Sequence, residues 1–161
     1  MNTPGTVVLV EVQQADQIAV AQKMFREYAE AIGVDLEYQG FAAELNGLPQ
    51  PYAQPDGVLL LAQVDGQTAG CVAVRRLDPR IAEMKRLYVR SQYRGRRIGE
   101  KLVDAAIEAA RRSNYRALRL DTLPIMETAQ ELYRKLGFKE ITAYNSKHLP
   151  GTRFYELNLV D

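Results

Sequence analysis

The chain has 161 residues, with 21 lysines and arginines against 20 aspartates and glutamates, a net charge of +1 with its one histidine neutral. Apolar residues at 47% and charged residues at 25% exclude collagen-like, disordered and membrane-embedded classes, and a chain of this length buries a core without staples. One cysteine, Cys71, and one histidine, His148, exclude an internal disulfide and a Cys/His zinc cage, so no metal is expected. No apolar run is longer than Val58 to Ala62 and the first basic residue is Lys23; neither a membrane span nor a secretory leader is expected, which makes the cytoplasm the default location.

Thr6 to Val12 is short, valine-rich and bounded by Pro4-Gly5 and Asp16, as a first strand would be. Asp16 is placed to cap a helix running to Ile32, in which Ile18, Ala21, Phe25, Tyr28, Ala29 and Ile32 recur at steps of three and four, and Gly33 ends it. Phe41 to Leu45 reads as a short second helix, followed by an irregular loop rich in proline and glycine from Gly47 to Gly57. Val58 to Val64, Thr68 to Arg76 and Ile81 to Val89 then form an antiparallel meander, with a hairpin turn at Asp65-Gly66. Helical spacing returns from about Ile98 to Arg112, Ala117 to Thr122 alternates as a strand, and Met126 to Leu136 is helical up to Gly137. Lys139 to Tyr144 and Arg153 to Leu159 are the last two strands, around a Leu149-Pro150-Gly151 turn. The predicted order is β-α-(α)-β-β-β-α-β-α-β-β in one domain spanning 1–161.

Charge is distributed unevenly. Residues 1 to 74 carry two basic and nine acidic side chains, whereas residues 75 to 161 carry nineteen and eleven. Lys85 to Arg119 alone holds eleven basic and three acidic residues, a concentration that attracts anions or coats a solvated surface. Within it, Leu87 to Glu100 joins a predicted strand to a predicted helix. The first N–H groups of a helix are unpaired and carry about half a positive charge, so a tight loop folded over them receives a pyrophosphate. Gly95 and Gly99 permit that approach. The glycine spacing fits neither a Walker loop nor a dinucleotide fingerprint.

On Arg94, Arg97, Ile98 and Gly99 the segment resembles the GNAT (Gcn5-related N-acetyltransferase) family, whose acetyl-coenzyme A loop reads Q/R-x-x-G-x-G/A between a strand and a helix. Arg97 stands where the family usually has its first glycine. Glu83 to Val89 resembles the family's fourth strand and Ala129 to Phe138 its fourth helix, and the element order agrees. The resemblance implies an α/β, mixed α+β fold with a mostly antiparallel central sheet splayed between strands 4 and 5 and flanked by helices. It implies direct acetyl transfer from acetyl-CoA, as acyl-donor cosubstrate, to a primary amine in a ternary complex. Leu87 and Val89 match the backbone partners of the pantetheine arm, Arg94, Gly95, Arg96, Arg97, Ile98, Gly99 and Glu100 fall at the pyrophosphate, and Lys101 or a neighbouring arginine at the 3′-phosphate. Glu83 matches a general-base position and Tyr133 the tyrosine that protonates the departing thiolate. The plainer readings are an exposed glutamate on an amphipathic strand and a tyrosine filling a buried helix stripe.

In relatives the first two helices wall the acceptor groove, and Glu27, Glu30, Asp35, Glu37 and Glu44 fall there, so a cationic acceptor is expected, either a small molecule or a peptide amine. Cys71 reads as a small core residue and His148 as a surface loop residue within reach of the acceptor mouth. A homodimer is the candidate assembly; no nucleic-acid or membrane partner is expected. Two other classes compete: a non-catalytic acyl-CoA sensor with the same fold, and a nucleic-acid module using Arg90, Arg94, Arg96 and Arg97 with Tyr88 and Tyr93.

Overall fold

The computed structural model describes residues 5–160. In chain order the elements are β1 (Val7–Glu11), α1 (Ala15–Ile32), α2 (Phe41–Gly47), β2 (Val58–Val64), β3 (Gln67–Asp78), β4 (Ile81–Val89), α3 (Ile98–Arg112), β5 (Ala117–Thr122), α4 (Glu127–Lys135), β6 (Lys139–Ile141) and β7 (Arg153–Asn158). This is the predicted order. The seven strands form one sheet in the order β1-β2-β3-β4-β5-β7-β6. Every neighbouring pair is antiparallel except β4 and β5.

Alternation along the strands builds two cores. Leu59, Leu61, Cys71 and Ala73 pack against Ala21, Met24 and Phe25 of α1 and Leu45 of α2. Their neighbours Val58, Val72, Val74, Ala82 and Met84 pack on the other face with Ile98, Leu102, Val103 and Ala106 of α3. Gly70 lets both β4 and α3 come close, because a Cβ there would stand 2.6 Å from the Tyr88 carbonyl oxygen of β4 and 3.2 Å from Leu102 of α3. Asp65 and Gly66 both have positive φ, 51° and 80°, the geometry of the two-residue hairpin turn.

Two local expectations are corrected. The first helix is capped at Gln14 rather than Asp16: the side chain of Gln17 reaches back and accepts the N–H groups of Gln13 and Gln14, both at 2.8 Å, leaving Asp16 in the first turn, where a carboxylate faces the positive end of the helix. The sixth strand stops at Ile141 instead of Tyr144. Beyond it the chain turns back over the sheet, so that the Tyr144 ring packs edge-on to Phe154 at 5.1 Å and its hydroxyl donates to Glu83 at 2.6 Å.

Two irregularities of β4 shape the site. It pairs with β5 only over Ile81–Glu83 against Ala117–Arg119, so the strands part after Glu83. Between the pairs Cys71↔Tyr88 and Ala73↔Lys85, β4 also carries one residue more than β3, a bulge at which Arg86 takes φ +62°. An arginine is strained there. It is held by burial (4% exposed), by hydrogen bonds from its guanidinium to both carboxylate oxygens of Glu44 at 2.9 and 2.7 Å and to Gln39 at 2.9 Å, and by the rings of Tyr28 and Phe41.

Candidate active site

Where β4 and β5 part, two spaces adjoin, bordered in common by Tyr28, Ile32, Leu87 and Met126. The larger is a cleft of about 520 Å³ bounded by Leu87, Tyr88 and Val89 of β4, the Tyr93–Gly95 loop, the start of α3 and one side of α4. Arg90 leaves β4 into a 3-10 turn at Ser91–Tyr93, after which Gly95 and Arg97 take φ +83° and +60°. Arg97 therefore adopts the left-handed conformation for which glycine is favoured, and it does so as the N-cap of α3. The Lys101 N–H makes the first helical bond, to the Arg97 carbonyl at 3.1 Å, whereas the N–H groups of Ile98, Gly99 and Glu100 have no acceptor among the described residues. Those three residues line the cleft, so unpaired donors and the positive end of the helix dipole face the same space.

Leu87, Val89, Arg94, Gly95, Arg97, Ile98, Gly99 and Glu100 all border this cleft. Arg96 and Lys101 do not. The Arg96 guanidinium lies over the Tyr93 ring at 5.6 Å, and Lys101 is exposed on α3. Glu100, the one carboxylate at this helix start, is paired to Lys135 of α4 at 3.4 Å. Arg90 is held by both oxygens of Glu27, at 2.8 and 2.6 Å, and is not a free cation for a nucleic-acid backbone.

The smaller space, about 30 Å³, lies in the gap between the strands and is lined from both faces of the sheet, by Met84, Thr122 and Tyr133 on one side and by Lys85, Asp121 and His148 on the other. Tyr133 is 3% exposed. Its ring packs, tilted, against Phe138 and Tyr155 at 5.7 and 6.2 Å, and burial pushes its phenol up, so it carries its proton at neutral pH. It is thus both a core residue and a wall of the gap.

Glu83 is not an exposed strand residue. It is 2% exposed, takes a hydrogen bond from Arg75 at 2.8 Å on one oxygen and from Tyr144 at 2.6 Å on the other, and lines neither space. Burial and the Glu83 charge push the Tyr144 phenol up. Cys71 is fully buried with its thiol 3.2 Å from the Arg86 carbonyl oxygen, and burial pushes that thiol up to about 12, the behaviour of an inert core residue. The acidic first half is partly neutralised, since Glu27 and Glu44 are bound to Arg90 and Arg86. Sequence reasoning missed Lys85, Asp121 and Tyr144. The β4–β5 register, which sets Lys85 and Asp121 two residues beyond the last pair on the same face, is the signal that finds the first two.

Among the described residues no helix is long and apolar enough to cross a membrane, and no group of three His, Cys, Asp or Glu is placed to hold a metal ion. The model of the acetyltransferase (GNAT) family matches residues 21–138. An uncharacterised N-acetyltransferase of Schizosaccharomyces pombe is 32% identical over 161 residues, covering 99% of each chain. An N-acetylaspartate synthetase of Danio rerio is 35% identical over 102 residues, covering 62% of this chain and 36% of that protein. A putative acetyltransferase of Salmonella typhimurium, whose structure holds its cofactor acetyl-CoA, superimposes with a TM-score of 0.71 over 96% of this chain and 95% of that one, at 17% identity. A sheet that parts after the third β4–β5 pair, a helix start that opens into the cleft, and a family match across most of the chain agree, and the chain belongs to the GNAT family of N-acetyltransferases.

Proposed function

We propose that this single domain, residues 1–161, transfers the acetyl group of acetyl-CoA directly to a primary amine bound beside it in a ternary complex. The observation that carries this reading is the meeting, in one cleft, of a β4 edge with no partner strand and three unpaired N–H groups at the start of α3. An extended pantetheine arm fits beside Leu87 and Val89 as an added strand, with its pyrophosphate at Ile98 to Glu100 and Arg94 and Arg97 supplying charge. A backbone N–H near Leu87 stabilises the oxygen of the tetrahedral intermediate. Arg96 and Lys101, outside the cleft wall, are assigned to the nucleotide end.

The amine nitrogen, freed of its extra proton, attacks the thioester carbon; a C–N bond forms, the C–S bond breaks and coenzyme A leaves as a thiolate. An alkylammonium has a pKa of about 10.4, so a proton acceptor is needed at neutral pH. Glu83 takes this role through water, since neither Glu83 nor Tyr144, whose hydroxyl donates to it, lines either space; the ammonium proton passes to the water and a proton of that water to the carboxylate. Tyr133 supplies the proton for the thiolate. The acceptor is a primary amine. Its expected cationic character rested on five carboxylates, two of which are bound to arginines, while the name of the Danio rerio relative, with an acetylated amino acid as product, supports an amine acceptor without requiring a polycation.

Calorimetric titration with acetyl-CoA, followed by thiol release across an amine panel, tests the proposal. Binding with amine-dependent release is expected. Binding without release on any amine would leave the acyl-CoA sensor as the correct reading.

A further inference from the structure

The face of the sheet that carries Glu83 bears four cations and four anions around the gap, and six of them are already matched: Arg75 with Glu83, Arg86 with Glu44, and Arg119 with Glu156. Lys85 and Asp121 are left. Extending the register of the last pair, Glu83↔Arg119, places them opposite each other where the strands have separated. They are not within ion-pair distance of each other or of any other charged group among the described residues. Lys85 has one long hydrogen bond, to Gln39 at 3.3 Å. Burial pushes Lys85 down and Asp121 up, so each charge is held at a cost that a matching ligand charge relieves. Asp121 is hydrogen-bonded to Asn145 but, among the described residues, has no cation beside it. The hydroxyl of Thr122, 2% exposed, is the buried side-chain polar atom without a hydrogen bond among the described residues, and Thr122 lines the same gap.

A purely cationic ligand entering this gap is repelled by Lys85, and a purely anionic one by Asp121. A ligand with both charges satisfies both. The size of the gap, about 30 Å³, admits small head groups rather than a bulky chain. Resting on the acetyltransferase reading above, we infer that the gap between β4 and β5 is the acceptor subsite and that it selects a small zwitterionic amine, a free amino acid or similar aminocarboxylate, with its carboxylate on Lys85 and its ammonium on Asp121. Leu87 borders both spaces, so an amine seated at Asp121 lies beside the β4 edge to which the donor is assigned.

The test is thiol release from acetyl-CoA with sets of acceptors that share an amine and differ in the second group: free amino acids, their carboxamides, the corresponding alkylamines, and spermidine. The wild-type enzyme is expected to prefer free amino acids by about tenfold or more in kcat/KM, the value of one charge-assisted contact. In Lys85→Met that ratio falls towards one, chiefly through KM, and Lys85→Arg restores part of it. Acetyl-CoA affinity, measured calorimetrically on each variant, shows that the fold and donor site persist. Faster turnover of carboxamides, alkylamines or spermidine than of amino acids overturns this inference and leaves the acetyltransferase reading standing. Failure to bind acetyl-CoA at all overturns both.

Discussion

Tyr133 and Glu83 show how burial sorts two side chains that a linear reading treats alike. Tyr133 borders the gap and keeps its proton because burial disfavours the phenolate. Tyr133→Phe is therefore expected to lower kcat by about a hundredfold or more with the acetyl-CoA Kd unchanged, since the ring and its contacts with Phe138 and Tyr155 stay; an unaltered kcat removes the hydroxyl from the mechanism. Glu83 is held by Arg75 and Tyr144 and touches neither space. Glu83→Gln is expected to flatten the rising limb of the kcat/KM profile against pH. A profile of unchanged shape, with only a lower plateau, would reduce Glu83 to a positioning residue for Tyr144.

At the scale of elements, two glycines have opposite roles. Gly70 is required for packing: a methyl group there collides with the Tyr88 carbonyl oxygen at 2.6 Å and presses on Leu102. Gly70→Ala is expected to cost roughly 1–3 kcal/mol, read from urea denaturation. Gly99, in the first turn of α3, has room, since a methyl would meet Leu132 and Val89 at 3.8 Å, ordinary contact distance. Gly99→Ala leaves stability equal or raises it by up to about 1 kcal/mol, yet weakens acetyl-CoA binding, because the methyl projects towards Leu132 and Val89, which line the same cleft, and takes up space there. Equal affinity in wild type and Gly99→Ala would place the pyrophosphate elsewhere. The start of α3 was legible from the helical spacing that begins at Ile98 and from Gly95, which takes positive φ in the turn before it. The bulge at Arg86 was not, because an arginine carries no signal for positive φ; the conformation is imposed by Glu44 and Gln39, far away in sequence.

Across the whole molecule, stability in acid depends on the ion pairs that bridge the helices to β4. Burial raises the Glu44 carboxyl, but hydrogen bonding to Arg86 and the Arg86 charge outweigh it, and the net value is lowered. Glu27 is lowered mainly by its hydrogen bond to Arg90. A carboxylate lowered on folding stabilises the native state above its unfolded value, about 4.3, and that contribution is lost as pH falls through the folded value. Asp121, raised by burial, acts in the opposite sense. Thermal denaturation is thus expected to show the melting temperature falling steeply below about pH 4.3 in the wild type and more gently in Glu44→Gln. That variant is also expected to lose roughly 3–5 kcal/mol at pH 7, because Arg86 is left charged and buried. Parallel acid slopes in the two proteins would remove Glu44 from the acid transition.

Element order, hairpin turn, helix stripes and the loop before α3 were written in the sequence itself, because periodicity and turn chemistry act between residues close in the chain. Only the tertiary structure decided where β4 leaves β5, that Glu83 is enclosed, that Arg96 and Lys101 stand outside the cleft, and that Lys85 and Asp121 remain unmatched around a gap. Burial and charge pairing depend on residues that are distant in sequence and adjacent in space, and no local pattern records them.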